Sequence, residues 1–169
     1  MQQSGSGDVG VVSIVLLLRQ PHYFLKDELR RAAEAAWGGI SFAGGGGSKY
    51  FVVQTGVMTI LKAARHTLSF LNASRPYLDD DPAKIAKRLP KLSQQKAWAE
   101  HRAWTAVDYL KGGNDVELEF CILARLVAEM LSANCAGLYL PGERSFMPND
   151  SSLYSVLQEI AASRNSEIA

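Results

Sequence analysis

The sequence has almost no net charge. Its 169 residues include 18 Lys and Arg against 17 Asp and Glu, which leaves a formal net charge of +1. Proteins that bind nucleic acid usually concentrate basic residues on one face. The densest basic run here, Lys84 to Lys91, directly follows three aspartates and is typical of a solvated helix. We therefore predict no nucleic-acid partner.

Cysteine is scarce, and membrane-spanning apolar runs are lacking. Cys121 and Cys135 form no CxxC motif, which excludes a disulfide framework and fits a reducing compartment. The apolar run Val11 to Leu18 is too short to cross a bilayer. No basic residue precedes it, as a signal peptide would require. These absences predict a cytoplasmic protein with no membrane partner.

Catalytic and cofactor motifs are also missing. The residues after the first apolar run, Arg19 to His22, contain no glycine fingerprint, and Ser145 lacks a Gly-x-Ser-x-Gly setting. The glycine run Gly44 to Ser48 is followed by neither a Lys-Ser/Thr pair nor a helix, so it predicts a flexible loop, of native or engineered origin. The three histidines, His22, His66 and His101, do not have a metal-ligand spacing. We predict no metal and no cofactor.

The amino-acid composition is typical of a globular domain. Hydrophobic residues make up 47% of the chain and charged residues 21%. We predict one domain over residues 11–163, with flexible tails over 1–10 and 164–169.

Apolar patterning predicts strands that alternate with helices. The predicted strands are Val11 to Leu18, Ile40 to Phe42, Tyr50 to Gln54, Val57 to Leu61, His66 to Leu71, Arg102 to Leu110 and Ala136 to Leu140. Helices are predicted from Leu25 to Ala36, after Asp79-Asp80-Asp81-Pro82 with these aspartates as caps, over Lys91 to Glu100, over Asp115 to Ala133, and after Asp150. The tight hairpin at Thr55-Gly56 favours an α+β fold with a mixed or mainly antiparallel sheet and helices packed against it.

The helix over Asp115 to Ala133 has the strongest pattern in the chain. Apolar residues cover most of its circumference, and only Arg125, Glu129 and Ser132 mark a solvent-exposed edge. This predicts a helix at the centre of the core, with Cys121 buried in it as a small hydrophobic residue.

The segment AWAEHRAWTAVDYL, Ala97 to Leu110, carries the candidate functional residues. Strand alternation from Arg102 places Arg102, Trp104 and Asp108 on one face. The other face would hold Ala103, Thr105, Val107 and Tyr109. An aromatic ring between a cation and an anion is a recognition surface for a ligand or partner, and we add to it Arg75 and Tyr77 of the nearby proline turn. The alternative is structural: the two charges pair elsewhere and Trp104 fills a cleft.

His101 is a weak catalytic candidate. It would act as a general base oriented by Glu100 or Asp108. Neighbours on a strand point to opposite faces, so Glu100 and His101 share a site only if the chain bends between them. A histidine without an identifiable nucleophile is more often structural.

Four segments resemble one family of proteins. They are SIVLLLRQPHYF, RPYLDDDP, AEHRAWTAVDYL and ILARLVAEMLSANCAGLYLP. Together they resemble a family of uncharacterised bacterial domains of unknown function, in which a motif similar to EHRAW-x-x-VD precedes a helix and a strand. The resemblance covers about Val11 to Leu157 and implies a self-contained α+β domain, with no established activity.

These observations predict a non-catalytic binding or protein-interaction module. Its partner is an unknown protein or a small molecule, and a homo-oligomer is one form that the contact can take. The alternative is a small hydrolase- or transferase-like enzyme that uses His101.

Overall fold

The computed structural model describes residues 10–42, 49–79, 81–164 and 168, the side chain of Asp79 excepted. Three predictions fall wholly or mostly outside these residues: the two tails, the loop Gly44 to Ser48, and the part of the aspartate cap that belongs to Asp79 and Asp80. The described residues form a single α+β domain, as predicted.

Among the described residues, seven strands form one sheet, and five helices pack against it. The strands are β1 (Ser13–Leu18), β2 (Tyr50–Thr55), β3 (Met58–Ala63), β4 (His66–Ala73), β5 (Ala103–Lys111), β6 (Cys135–Leu140) and β7 (Ser145–Pro148). The helices are α1 (Lys26–Ala36), α2 (Pro82–Ala86), α3 (Leu92–Glu100), α4 (Val116–Met130) and α5 (Leu153–Ala162), with a 3₁₀ turn at Tyr77–Asp79. The order across the sheet is β2-β3-β4-β5-β1-β6-β7, and every neighbouring pair is antiparallel.

Strand β1 lies inside the sheet, as its unbroken apolar run predicted. It pairs with β5 on one side and β6 on the other. Ile14 and Leu16 enter the hydrophobic cluster on one face, whereas Val15 and Leu17 enter the cluster on the opposite face. Both faces of β1 are therefore covered, which explains why it lacks polar alternation.

Helices cover the two faces of the sheet unequally. On the first face, α1, α4 and α5 build the larger core with residues such as Leu29, Leu126 and Leu157, none of which has measurable exposure. On the second face, α2 and α3 build a smaller core around Trp98. The prediction that α4 is central is confirmed, and Cys121 is buried in it. Asp115 caps this helix by accepting hydrogen bonds from the amides of Glu117 and Leu118.

Several predicted boundaries differ from the structure. The strand prediction for Ile40 to Phe42 was wrong: the Phe42 amide donates to the Glu34 side chain (3.0 Å) instead of joining the sheet. Helix α4 ends at Met130 because Leu131 adopts an extended conformation. Strand β7 was missed, since its four residues include a proline. The cap predicted at Asp81 is confirmed by its bond from the Ala83 amide (3.0 Å).

Of the helices described, none combines the length and the apolar character needed to cross a membrane.

Candidate interaction surface

The two faces predicted for β5 are the ones observed. Val107 and Tyr109 lie in the first-face core, and Trp104 and Ala106 lie with the second-face cluster. Asp108 is half-buried on this second face, where it is paired across the sheet with Ser13 of β1 and Ser69 of β4. The candidate residues Trp104 and Asp108 therefore do share one face.

Arg102 does not join them. It precedes β5, and its guanidinium donates to the carbonyl oxygens of Ala99 (2.7 Å) and His101 (2.8 Å). A cation at these carbonyls complements the negative end of α3. The structure thus places Arg102 as a helix-terminating residue, and the predicted grouping of Arg102 with Trp104 and Asp108 was wrong for this member.

Asp108 is a half-buried carboxylate held by a serine hydroxyl. Its Oδ1 accepts a hydrogen bond from the Ser13 hydroxyl at 2.6 Å. None of the ion pairs within the described ranges involves Asp108. A carboxylate removed from water in this way is stabilised by hydrogen bonds but keeps its capacity to accept from a cation.

Tyr77 belongs to a cluster of aromatic rings on the second face of the sheet. Its ring packs against Trp104 (centroids 5.4 Å apart, planes at 80°) and Tyr139 (5.5 Å). Burial raises the pKa of Tyr77, with smaller contributions in the same direction from Tyr139 and from the negative charge of Asp108. Trp98 continues the cluster into the core through Tyr139 and Phe146. Trp104 is therefore the partly exposed end of a rigid aromatic array.

His101 is fully buried, and both of its ring nitrogens contact backbone groups. Nδ1 donates to the carbonyl oxygen of Trp98 at the end of α3, and Nε2 accepts from the Tyr77 amide at 3.0 Å. Burial lowers the pKa of His101, a change that the Trp98 carbonyl opposes and the charge of Arg102 supports. The geometry defines a neutral histidine that ties α3 to the Tyr77 turn, with no ring nitrogen left for a substrate.

Glu100 turns away from His101. Its carboxylate pairs with the Nε of Arg19 at 3.0 Å, and Arg19 also donates to the carbonyl oxygens of Ala133 and Cys135. Glu100 and His101 thus contact different parts of the protein, although both lie at the end of α3 and not on a strand.

No residue that the structure describes packs over the second face of the sheet from β2 to β4. Cross-strand pairing aligns Val53, Ile60, Ser69 and Asp108 in one row, and Thr55, Met58, Leu71 and Ala106 in the next. Four apolar side chains in this region are substantially exposed: Val53 (50%), Met58 (42%), Leu71 (37%) and Leu110 (49%). We call this region, bounded by Trp104 and Asp108, the open face.

The open face also carries basic residues, among them Lys62 and Lys111, which are both aligned with Thr67 of β4. Lys62 follows two residues after Ile60 on β3, and its ammonium lies 5.9 Å from the centre of the Phe51 ring. At the opposite corner, Arg75, Leu71 and Trp104 help to line a shallow pocket of about 350 Å³. Of the candidate residues, Trp104, Asp108, Tyr77 and Arg75 thus lie on or beside the open face.

Sequence reasoning missed the strand residues that make up most of this face. Met58, Ile60 and Lys62 alternate with Thr59, Leu61 and Ala63, and both sets are largely apolar. One signal in the sequence could have indicated an uncovered face: the predicted strands have more apolar positions than the predicted helices can cover.

A separate cavity lies away from the open face and is lined by none of the candidate residues. It has a volume of about 510 Å³ and lies between α1 and the end of α4. In it, His22 pairs with Glu28 at 2.9 Å, while the other carboxylate oxygen of Glu28 accepts from the Leu25 amide. Within the described part of the chain, no three or more His, Cys, Asp or Glu side chains group so that they could hold a metal ion.

No family model, curated protein or solved structure matches this chain. The resemblance to uncharacterised bacterial domains stays a prediction.

Proposed function

We propose that this protein is a non-catalytic interaction module that contacts a protein partner through the open face. The observation that supports this most strongly is the exposure of apolar side chains from adjacent strands on one flat surface. A single exposed apolar residue is common, but a contiguous patch is typical of a contact surface.

The shape of the open face favours a protein over a small molecule. Small ligands bind in concave sites that bury most of their surface. The open face is an exposed sheet surface, and the pocket beside Trp104 is shallow. A partner that lies flat on the strands would cover Met58, Ile60 and Leu71 together.

Trp104 and Tyr77 give the open face a rigid aromatic margin. Buried Trp98 holds Tyr139 and, through it, Tyr77 in place, so these rings lose little freedom when a partner binds. Large, partly exposed aromatic residues of this kind are enriched among the residues that dominate binding energy.

The alternative of an enzyme built on His101 requires a ring nitrogen that can exchange a proton with a substrate. Both nitrogens of His101 are engaged by the backbone, and the side chain has no measurable exposure. It also lines none of the cavities described above. The interaction module is therefore the better-supported function.

Photo-crosslinking tests the proposal at the level of single positions. A photo-reactive amino acid replaces Leu71 on the open face or, as the control, Leu92, which is 80% exposed at the start of α3. Irradiation in cells should give a discrete crosslinked product from position 71 and none from position 92. Absence of a product at 71, or the same products from both positions, would contradict the proposal.

A further inference from the structure

We infer that the cavity between α1 and the end of α4 binds a free amino acid with an apolar side chain. Arg31 binds the carboxylate of the ligand, Glu129 binds its ammonium group, and apolar residues contact its side chain. We call this space the α1–α4 cavity. Its apolar lining belongs to the first-face core, so the inference is independent of the open face on the second face.

The size of the α1–α4 cavity suits a small molecule. Its volume of about 510 Å³ lies within the range of about 300 to 1000 Å³ that is usual for ligand sites. Helix α1 lines it partly with small side chains, those of Ala32 and Ala35, which leave space between the two helices. Ala35 is exposed, so a ligand can reach the cavity from solvent.

Arg31 supplies a cation that no described residue neutralises. It takes part in none of the ion pairs between described residues. Glu28, three residues earlier on α1, would be an ordinary partner for it. Both carboxylate oxygens of Glu28 are engaged elsewhere, one by the Nε2 of His22 (2.9 Å) and the other by the Leu25 amide (2.9 Å). The guanidinium therefore keeps its donors for a ligand carboxylate, which it can bind through two parallel hydrogen bonds.

The opposite wall of the cavity is negative. Glu129 lines it, one residue before α4 ends at Met130. Its Oε1 accepts from two neutral donors, the Tyr154 hydroxyl (3.2 Å) and the Gln158 amide (3.4 Å). The end of a helix also carries partial negative charge, because its last carbonyl oxygens have no partner within the helix. This wall therefore favours an ammonium group.

The charges on the two walls select the class of ligand. A simple carboxylate would pair with Arg31 but would also meet Glu129, and a simple amine would do the reverse. A zwitterion presents one charge of each sign and satisfies both walls. Free amino acids are the common small molecules with this pair of groups.

The remaining lining of the cavity is apolar. Leu18 at the end of β1, Phe24 and Met130 line it, and all three are buried in the first-face core. An apolar side chain of the ligand gains by leaving water for this surface. A polar side chain would lose its hydrogen bonds to water there, so the site discriminates against polar amino acids.

The rim of the cavity is fixed before a ligand binds. The Asn134 side chain accepts from the Gln20 amide (2.9 Å) and donates to the Gln20 carbonyl oxygen (3.0 Å), which joins the segment after β1 to the segment after α4. The contact between His22 and Glu28 joins the segment after β1 to α1. A pre-formed rim reduces the ordering cost of binding.

Isothermal titration calorimetry with matched probes tests the class of ligand. L-leucine and L-phenylalanine carry both charged groups, 3-phenylpropanoate lacks the ammonium, and 2-phenylethylamine lacks the carboxylate. At least one of the two amino acids should bind with a dissociation constant of about 0.01 to 1 mM. Each analogue should bind at least about tenfold more weakly than L-phenylalanine, and L-aspartate should bind at least about tenfold more weakly than either apolar amino acid. If neither L-leucine nor L-phenylalanine binds, or if an analogue binds as tightly as L-phenylalanine, the inference is overturned.

Charge-removing variants test the two walls. Arg31 is exposed on α1, and Glu129→Gln keeps an acceptor for Tyr154 and Gln158, so Arg31→Gln and Glu129→Gln should both fold. Each should weaken binding of the amino acid at least about tenfold. Binding that either variant leaves unchanged would overturn the assignment of that wall.

Matched controls separate the cavity from the overall charge of the protein. Arg88→Gln and Glu159→Gln remove the same charges at exposed positions outside the cavity and should leave the dissociation constant unchanged. Ala35→Leu fills the cavity, keeps both charges and should abolish binding. Full binding by Ala35→Leu, or equal losses in the control variants, would place the ligand elsewhere and overturn the inference. Crosslinking from position 71 on the open face does not depend on any of these outcomes.

Discussion

His101 contributes to stability at the scale of a single residue. Its ring satisfies one backbone carbonyl and one backbone amide from two separate segments, the end of α3 and the Tyr77 turn. It also packs edge-on against Trp98, with ring centroids 5.3 Å apart. The histidine that the sequence marked as a candidate base thus supports the aromatic margin of the open face.

Removal of the ring should therefore be costly. His101→Ala leaves the partly buried Tyr77 amide without its acceptor and opens a cavity, so we expect the free energy of unfolding to fall by about 3 kcal/mol. The control is His22→Ala at a partly exposed histidine paired with Glu28, with an expected loss below about 1 kcal/mol. Denaturant unfolding of both variants measures this. Equal losses would contradict the structural role.

The buried histidines should make the protein less stable in mild acid. Burial lowers the pKa of His101 and of His66, and Arg65 lowers the pKa of His66 further. The unfolded chain therefore binds protons near pH 6.5 that the folded protein resists, so stability is full above that pH and falls as the pH drops below it.

Unfolding free energies measured from pH 7.5 to 5.5 test this sign. The slope should reach at most about 1.4 kcal/mol per pH unit for each histidine, and it should decrease in the His101→Ala variant. Stability that stays constant or rises toward pH 5.5 would contradict the buried neutral state.

At the scale of elements, the sequence predicted the strands and helices whose hydrophobic pattern is clear. Strand β1, the hairpin of β2 and β3, and helix α4 agree with their predictions because length, turn residues and periodicity all indicate the same element. The strand predicted for Ile40 to Phe42 was wrong, and β7 was missed. A segment of three or four residues is too short to show a hydrophobic periodicity, so its secondary structure depends on its tertiary partners.

Gly112 shows how one residue fixes the joint between two elements. It follows β5 with a φ of +116°, and a Cβ there would lie 2.2 Å from the carbonyl oxygen of Arg65 in the β3–β4 turn. Gly112→Ala should therefore destabilise the protein by at least about 3 kcal/mol.

Gly39 provides the matched control. It also has a positive φ, +90°, but no atom lies within 4 Å of an added Cβ, so Gly39→Ala should cost only about 1–2 kcal/mol. Thermal unfolding of the two variants separates strain from contact. Similar losses would show that Arg65 does not approach Gly112 this closely.

At the scale of the whole molecule, the open face could not be predicted from sequence. The alternation in β5 correctly placed Trp104 and Asp108 on the same side. Which strands remain uncovered depends on where α2 and α3 pack, and the apolar residues on both faces of β3 and β4 do not determine that. Arg102 was misplaced for a related reason, since the helix end it caps is not visible in a strand pattern.

The central claim is that the open face is a contact surface for a protein partner. Methyl NMR spectra of the isotope-labelled chain, recorded in dilute buffer and inside living cells, test it most directly. Signals of Met58, Ile60 and Leu71 should shift or broaden together in cells, while those of Leu92 and Val116, exposed on other elements, stay constant. Constant open-face signals, or shifts centred on Leu92 or Val116, would contradict it.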